Sequence, residues 1–162
     1  MNKSELLHWL HDLNDRWEAL LAEAGPDRMD QPGVNGDWSM KDLVAHLAGW
    51  QTPLTARILA AVRGEPKPPP PWPAGLEEED DINAWIYQSN KDRPADEVLE
   101  DARREIRDLL AAIESLPDDV RIETIDERFH LPWIGDQRFH VAEFFDHFHD
   151  DHEADVRAWL SR

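Results

Sequence analysis

Apolar residues along most of this 162-residue chain recur every third or fourth position, the spacing of a helix with one buried face. The first such segment runs from about Ser4 to Ala24. Leu6, Leu10, Leu13, Trp17, Leu20 and Leu21 fall on one side and His8 and His11 on the opposite, solvated side, with Ser4 as a candidate cap. A turn-rich connection, GPDRMDQPGVNGDW, follows. The second helix starts at Trp38-Ser39-Met40-Lys41-Asp42. Ser39 suits the cap, and Asp42, three residues on, completes an Asp variant of the capping box. Leu43, Leu47, Leu54, Ile58 and Val62 form its apolar stripe, while Pro53, with no N–H to give Gly49, predicts a kink or a restart capped by Thr52.

GEPKPPPPWPAG is stiff and polyproline-like, a bridge between helices or a ligand for a proline-reading domain. LEEEDDINAWIYQSN predicts a short helix. From Pro94 to Leu116 a third long helix places Val98, Ala102, Ile106, Leu109, Leu110 and Ile113 on one side, with Pro94 at its first position. Pro117 to His140 breaks the pattern: RIETI alternates and Gly135-Asp136 signals a turn, so a hairpin or irregular segment is expected. A last helix closes the chain. The expected architecture is all-α: one domain over residues 1–162, a four-helix bundle with a long crossover, a short extra helix, and an irregular or hairpin segment before the last helix.

Charge narrows the functions. Against 35 acids stand 17 Lys and Arg, a net charge of −18. That argues against nucleic acid and an anionic membrane surface, which require a basic footprint, and favours solubility and cationic or neutral partners. No run of apolar residues is long enough to span a membrane, and MNKSELLHWLHDLNDRW lacks a signal peptide's apolar centre, so a cytoplasmic location is expected. With no cysteine, thiolate catalysis and thiolate metal sites are out.

Histidine is what remains for chemistry. On the last helix, at about 100° per residue, Val141, Phe145, Phe148, Val156 and Trp159 define a stripe. His152 lies near its centre, His149 on its flank, and His147 on the outer side. His149 and His152, three apart, are neighbours, and neutral imidazoles are common metal ligands. A third ligand must come from elsewhere: His46, at the edge of the Leu43/Leu47/Trp50 stripe, is the best candidate, ahead of His130 and His140 near the long loop. The bland alternative is a core histidine bonded to a carboxylate. Asp146, Asp150, Asp151 and Glu153 are either a solvated acidic face or groups that orient the imidazoles.

Trp38-Ser39-Met40-Lys41-Asp42-Leu43-Val44-Ala45-His46-Leu47-Ala48-Gly49-Trp50 resembles the second-helix signature of the DinB/YfiT-like four-helix bundles, and His152-Glu153-Ala154-Asp155-Val156-Arg157 resembles their last-helix histidine segment. Gly64-Glu65-Pro66 with its proline run, Asn83-Ala84-Trp85-Ile86-Tyr87, and His152 through Trp159-Leu160 look more narrowly like the branch holding the ClbS/DfsB self-resistance proteins. The likeness covers nearly the whole chain and is weakest from Arg121 to Arg138. It implies a divalent metal, zinc or nickel, held by one histidine of the second helix and two of the last, four residues apart. His46 and His152 match. Four residues before His152 stands Phe148, so His149 or His147 must substitute, and ideal helical geometry favours His149.

The resemblance implies a metalloenzyme of hydrolase or S-transferase type, activating water or a small thiol against an electrophilic small molecule. Without metal, an apolar pocket lined by Trp38, Trp50, Trp133 and last-helix aromatics such as Phe148 would bind or detoxify a reactive ligand in the ClbS manner. A third class is an interaction module that pairs into a homodimer.

Overall fold

Asn2 rather than Ser4 starts the first helix. Its side chain accepts from the Glu5 N–H at 2.9 Å, while the Glu5 carboxylate accepts from the Asn2 N–H at 2.7 Å. This reciprocal pair fixes α1 at Lys3–Ala24. The computed structural model describes residues 1–121 and 145–162. α1 buries Leu6, Leu10, Trp17, Leu20 and Leu21, and His8 and His11 face water, as the periodicity requires.

The turn-rich connection holds more order than expected. After a 3-10 turn (Pro26–Arg28), β1 (Pro32–Asn35) pairs antiparallel with β2 (Trp38–Ser39). Gly36-Asp37 was the legible sign, since glycine at the first central position suits a two-residue hairpin turn, and Gly36 has φ 56°. β2 runs straight into α2 (Met40–Arg63). Ser39 Oγ accepts from the Asp42 N–H at 3.2 Å and Asp42 Oδ2 accepts from the Ser39 N–H at 2.9 Å, so the expected capping box is present. Of the kink or restart expected at Pro53, the restart is not. α2 continues through it, and the Thr52 hydroxyl bonds back to the Ala48 carbonyl at 3.0 Å instead of capping a new helix.

The proline run 66–73 carries no regular structure but is tied down at Trp72, which is 7% exposed and packs edge-on against Trp50 with ring centroids 5.2 Å apart. It leads into the short extra helix α3 (Glu79–Asn90) and then α4 (Ala95–Glu114), for which Pro94 is the residue before the helix rather than its first position. Val120 closes the core beyond α4, and Arg121 bridges to Asn2. The rest of the expected hairpin or irregular segment lies outside the described residues. After it, residues 145–147 are helical, Phe148–His152 form a π-helical turn, and α5 spans Glu153–Leu160.

α1, α2, α4 and this last helical stretch are the four long members of an all-α bundle, with α3 and the hairpin as additions. One group of buried side chains surrounds Met40, Leu43, Ile82, Val156 and Trp159. The other joins Leu6, Ile58, Leu109 and Ile113. No described helix is long and apolar enough to cross a membrane.

Lys41 is 7% exposed yet fully employed: its ammonium donates to the carbonyls of Lys91 (2.8 Å) and Arg93 (3.2 Å) after α3 and pairs with Asp30 at 2.9 Å. α3 also approaches α2 closely at Gly49, where a Cβ would meet Ile86 Cδ1 at 2.7 Å and its Cγ atoms at 3.0 Å. Gly49→Ala gains helix propensity but overpacks this crossing. Urea unfolding should show a net loss of about 1–2 kcal/mol. Adding Ile86→Val, which removes Cδ1, should recover part of it.

Candidate metal centre

Three imidazoles meet between α2 and the last helix. His46 comes from the second turn of α2, seven residues past the Ser39 cap, and is 5% exposed. His152 closes the π-turn and is 7% exposed. The third is His147. Its Nε2 lies 3.3 Å from His46 Nε2 and 3.1 Å from His152 Nε2, and donor nitrogens of all three fall within 4.8 Å of one another.

His149, favoured by ideal helical spacing, is not brought into this group, and His147, expected to face outward, is. The cause is the π-turn. The Glu153 N–H bonds to the Phe148 carbonyl, an i to i+5 closure. In such a turn a residue and the fifth after it share a face, as a residue and the fourth do in an α-helix. The extra residue that separated this chain from the four-residue spacing is absorbed as a widened turn, and His147 lands where the spacing would have put residue 148. His149 points elsewhere: Nδ1 contacts the Glu153 carboxylate, which Arg16 (3.0 Å) and Arg157 (2.6 Å) also hold. His130 and His140 lie outside the described residues.

The donor set suits a divalent cation. Three ligands at tetrahedral positions about 2.0–2.1 Å from zinc would be about 3.3 Å apart, close to the separations at His147. Burial, reinforced by His152 and His147 nearby, pushes the His46 pKa down to about 3. Burial and His147 also lower that of His152. Both rings therefore stay neutral, the form that binds metal. Asn83 favours the protonated His46 ring, but its amide oxygen already accepts from the Trp50 indole at 2.8 Å, and His46 Nδ1 is buried with no partner. His147 Nδ1 lies 2.7 Å from Asp151 Oδ2. A carboxylate there fixes the proton on Nδ1 and leaves the Nε2 lone pair for the cluster. Of the four acids considered for this role, Asp151 serves His147 and Glu153 serves His149. Asp146 and Asp150 bond to no described imidazole, and burial with Asp150 nearby raises the Asp146 pKa.

Beside the cluster opens a cleft of about 860 Å³, its mouth included, between α1, α2, α4 and the last helix. His147 stands in its wall, so the cluster and the cleft are continuous. Trp50 and Phe148 line it, and Phe148 packs on Trp17 with centroids 4.6 Å apart. Trp38 is not among the lining residues. It stacks near Tyr87 and sits 5.2 Å from the His46 ring, backing that imidazole. Trp133 and Val141 lie outside the described residues.

The depressed histidine pKa values set a pH dependence. Between about 6.5 unfolded and about 3 folded, the unfolded chain binds the His46 proton and the native one does not. Stability is therefore complete above pH 6.5 and falls on acidification, by about 1.4 kcal/mol per pH unit for this one group. Urea midpoints of metal-free protein should drop between pH 6.5 and 5, before most carboxylates titrate. His46→Gln should flatten that slope.

A comparison with protein-family models matches residues 10–140 to the mycothiol maleylpyruvate isomerase N-terminal domain. No curated protein and no solved structure matches the chain at comparable significance. The matched span contains His46 and ends before His147 and His152, so the last-helix half of the cluster lies outside the match. The matched domain is itself DinB/YfiT-like, a grouping whose members often bind divalent metal. The chain thus belongs to the mycothiol maleylpyruvate isomerase N-terminal domain family, within the DinB/YfiT-like four-helix superfamily.

Proposed function

We propose that this protein is a metal-dependent enzyme that turns a small thiol, or water, against an electrophilic small molecule. The observation that carries the reading is the convergence of His46, His147 and His152 Nε2 beside an apolar cleft. Zinc or nickel bound there would supply Lewis-acid activation, lowering the pKa of a thiol or water at its open position.

The protein's own residues do the rest. His46 and His152 stay neutral through burial, and Asp151 sets the tautomer of His147. The cleft wall of leucines and aromatics keeps water from the electrophile. The chain has no cysteine, so a thiol must arrive as a second small molecule. The family's name pairs mycothiol with an isomerisation, which suits thiol addition to a conjugated double bond, rotation, and loss of the same thiol. Addition with departure of a leaving group gives S-transfer on the same scaffold. Binding without metal in the ClbS/DfsB manner draws on the cleft alone and leaves the converging nitrogens without a use.

Elemental analysis of protein purified without a histidine tag should find about one divalent ion per chain after zinc or nickel is supplied. His46→Ala, His147→Ala and His152→Ala should each abolish it, and His149→Ala should keep it. Equal loss in the His149 variant, or no stoichiometric metal in the parent, overturns the assignment.

A further inference from the structure

The cleft's lining speaks to what it admits. Most of it is apolar: Leu13 and Trp17 from α1, Leu47 from α2, Ile106 and Leu110 from α4, and Phe148. Apart from the histidine and tryptophan rings, the polar side chains in the described wall are two amides, Asn14 and Gln51. Neither makes a side-chain hydrogen bond to a described residue, which leaves both able to pair with a ligand. Among the described residues no lysine or arginine lines the cleft. Arg16, the nearby cation of α1, is committed to Glu153. The neighbouring stretch of the last helix adds Asp146, Asp150 and Asp151, within a chain of net charge −18.

A carboxylate seated among these walls would lose its water shell and find no cationic partner among the described residues, which disfavours it strongly. A neutral amide or carbonyl loses less and can be met in full by the two side-chain amides, each of which offers both a donor and an acceptor. Among the described residues the one place where positive charge would enter is the histidine cluster, were a metal held there, and that charge would serve to activate the thiol or water.

Resting on the thiol-or-water reading for its chemistry but on the cleft for its selectivity, we propose that the electrophile is a neutral, largely apolar molecule bearing a carbonyl or amide. On this inference the cleft turns away carboxylates, including the diacid type in the family's name. Asn14 and Gln51 are its specificity-determining residues.

Two probes of the same shape test this: 2-naphthamide and 2-naphthoate, titrated calorimetrically into the full chain as purified and again after chelation. In chelated protein the amide should bind at least about tenfold tighter. Gln51→Leu should weaken the amide severalfold, with the fold checked by circular dichroism. Ile106→Arg, at a half-buried position of the wall, should narrow or reverse the preference by favouring the anion. Equal or tighter binding of naphthoate to chelated parent protein overturns the proposal, as does binding of neither probe. Metal content measured on the same samples separates the two readings: a preference for the amide in protein that never takes up metal sinks the enzyme and leaves the cleft's selectivity standing.

Discussion

Where the last helix docks decides everything at the histidine cluster, and Trp159 decides where it docks. The indole is 1% exposed. The Arg28 guanidinium lies 4.1 Å above its ring and donates to its carbonyl at 3.1 Å, a cation on an aromatic face joined to a C-terminal cap. Gly33 of β1 passes beneath with φ 103°, and the ideal Cβ position is 3.9 Å from the indole Cδ1. With Val156 fully buried one turn earlier, α5 has no freedom to roll. The hairpin, which looked like mere connection, is the floor on which the last helix lies. Because β2 feeds directly into the Ser39 cap, the same hairpin sets the start of α2, and with it the position of His46. Two helices from distant parts of the sequence are indexed against one small piece of sheet.

Much of this was legible beforehand. The long helices, the Ser39–Asp42 cap and the burial of Leu43, Leu54, Ile58, Val98, Ala102 and Leu109 follow from periodicity, because a bundle helix has one buried face and the sequence must mark it. His46 and His152 were readable for the same reason: each interrupts an apolar stripe. Three things were not. Asn2 outcompeted Ser4 as a cap because Glu5 was placed to reciprocate. Pro53 did not break α2, since missing one backbone bond costs less than the burial of Leu54 and Ile58 that continuity secures. His147 turns inward because the helix does not keep a constant 100° per residue from Phe148 to His152.

The chemistry at the cluster is governed by opposition between burial and charge. Three imidazoles within hydrogen-bonding reach cannot all be protonated, and desolvation of His46 ensures that this one never is near neutrality. The acids of the last helix divide the remaining work. Asp151 orients a ring of the cluster, while Glu153 is held by two arginines and His149 and ties α1 to α5. A helix face dense in acids thus combines an orienting role with a structural one.

The widened turn between Phe148 and His152 also bears on how such centres are recognised. A pattern fixed on two histidines with three residues between them passes over this chain, although the rings are present and converge. Here the backbone takes up a fourth residue between His147 and His152 without separating their rings, so the spacing departs from the pattern while the three-dimensional arrangement does not. Kinship among these bundles is better traced by which side chains face one another than by how many positions separate them.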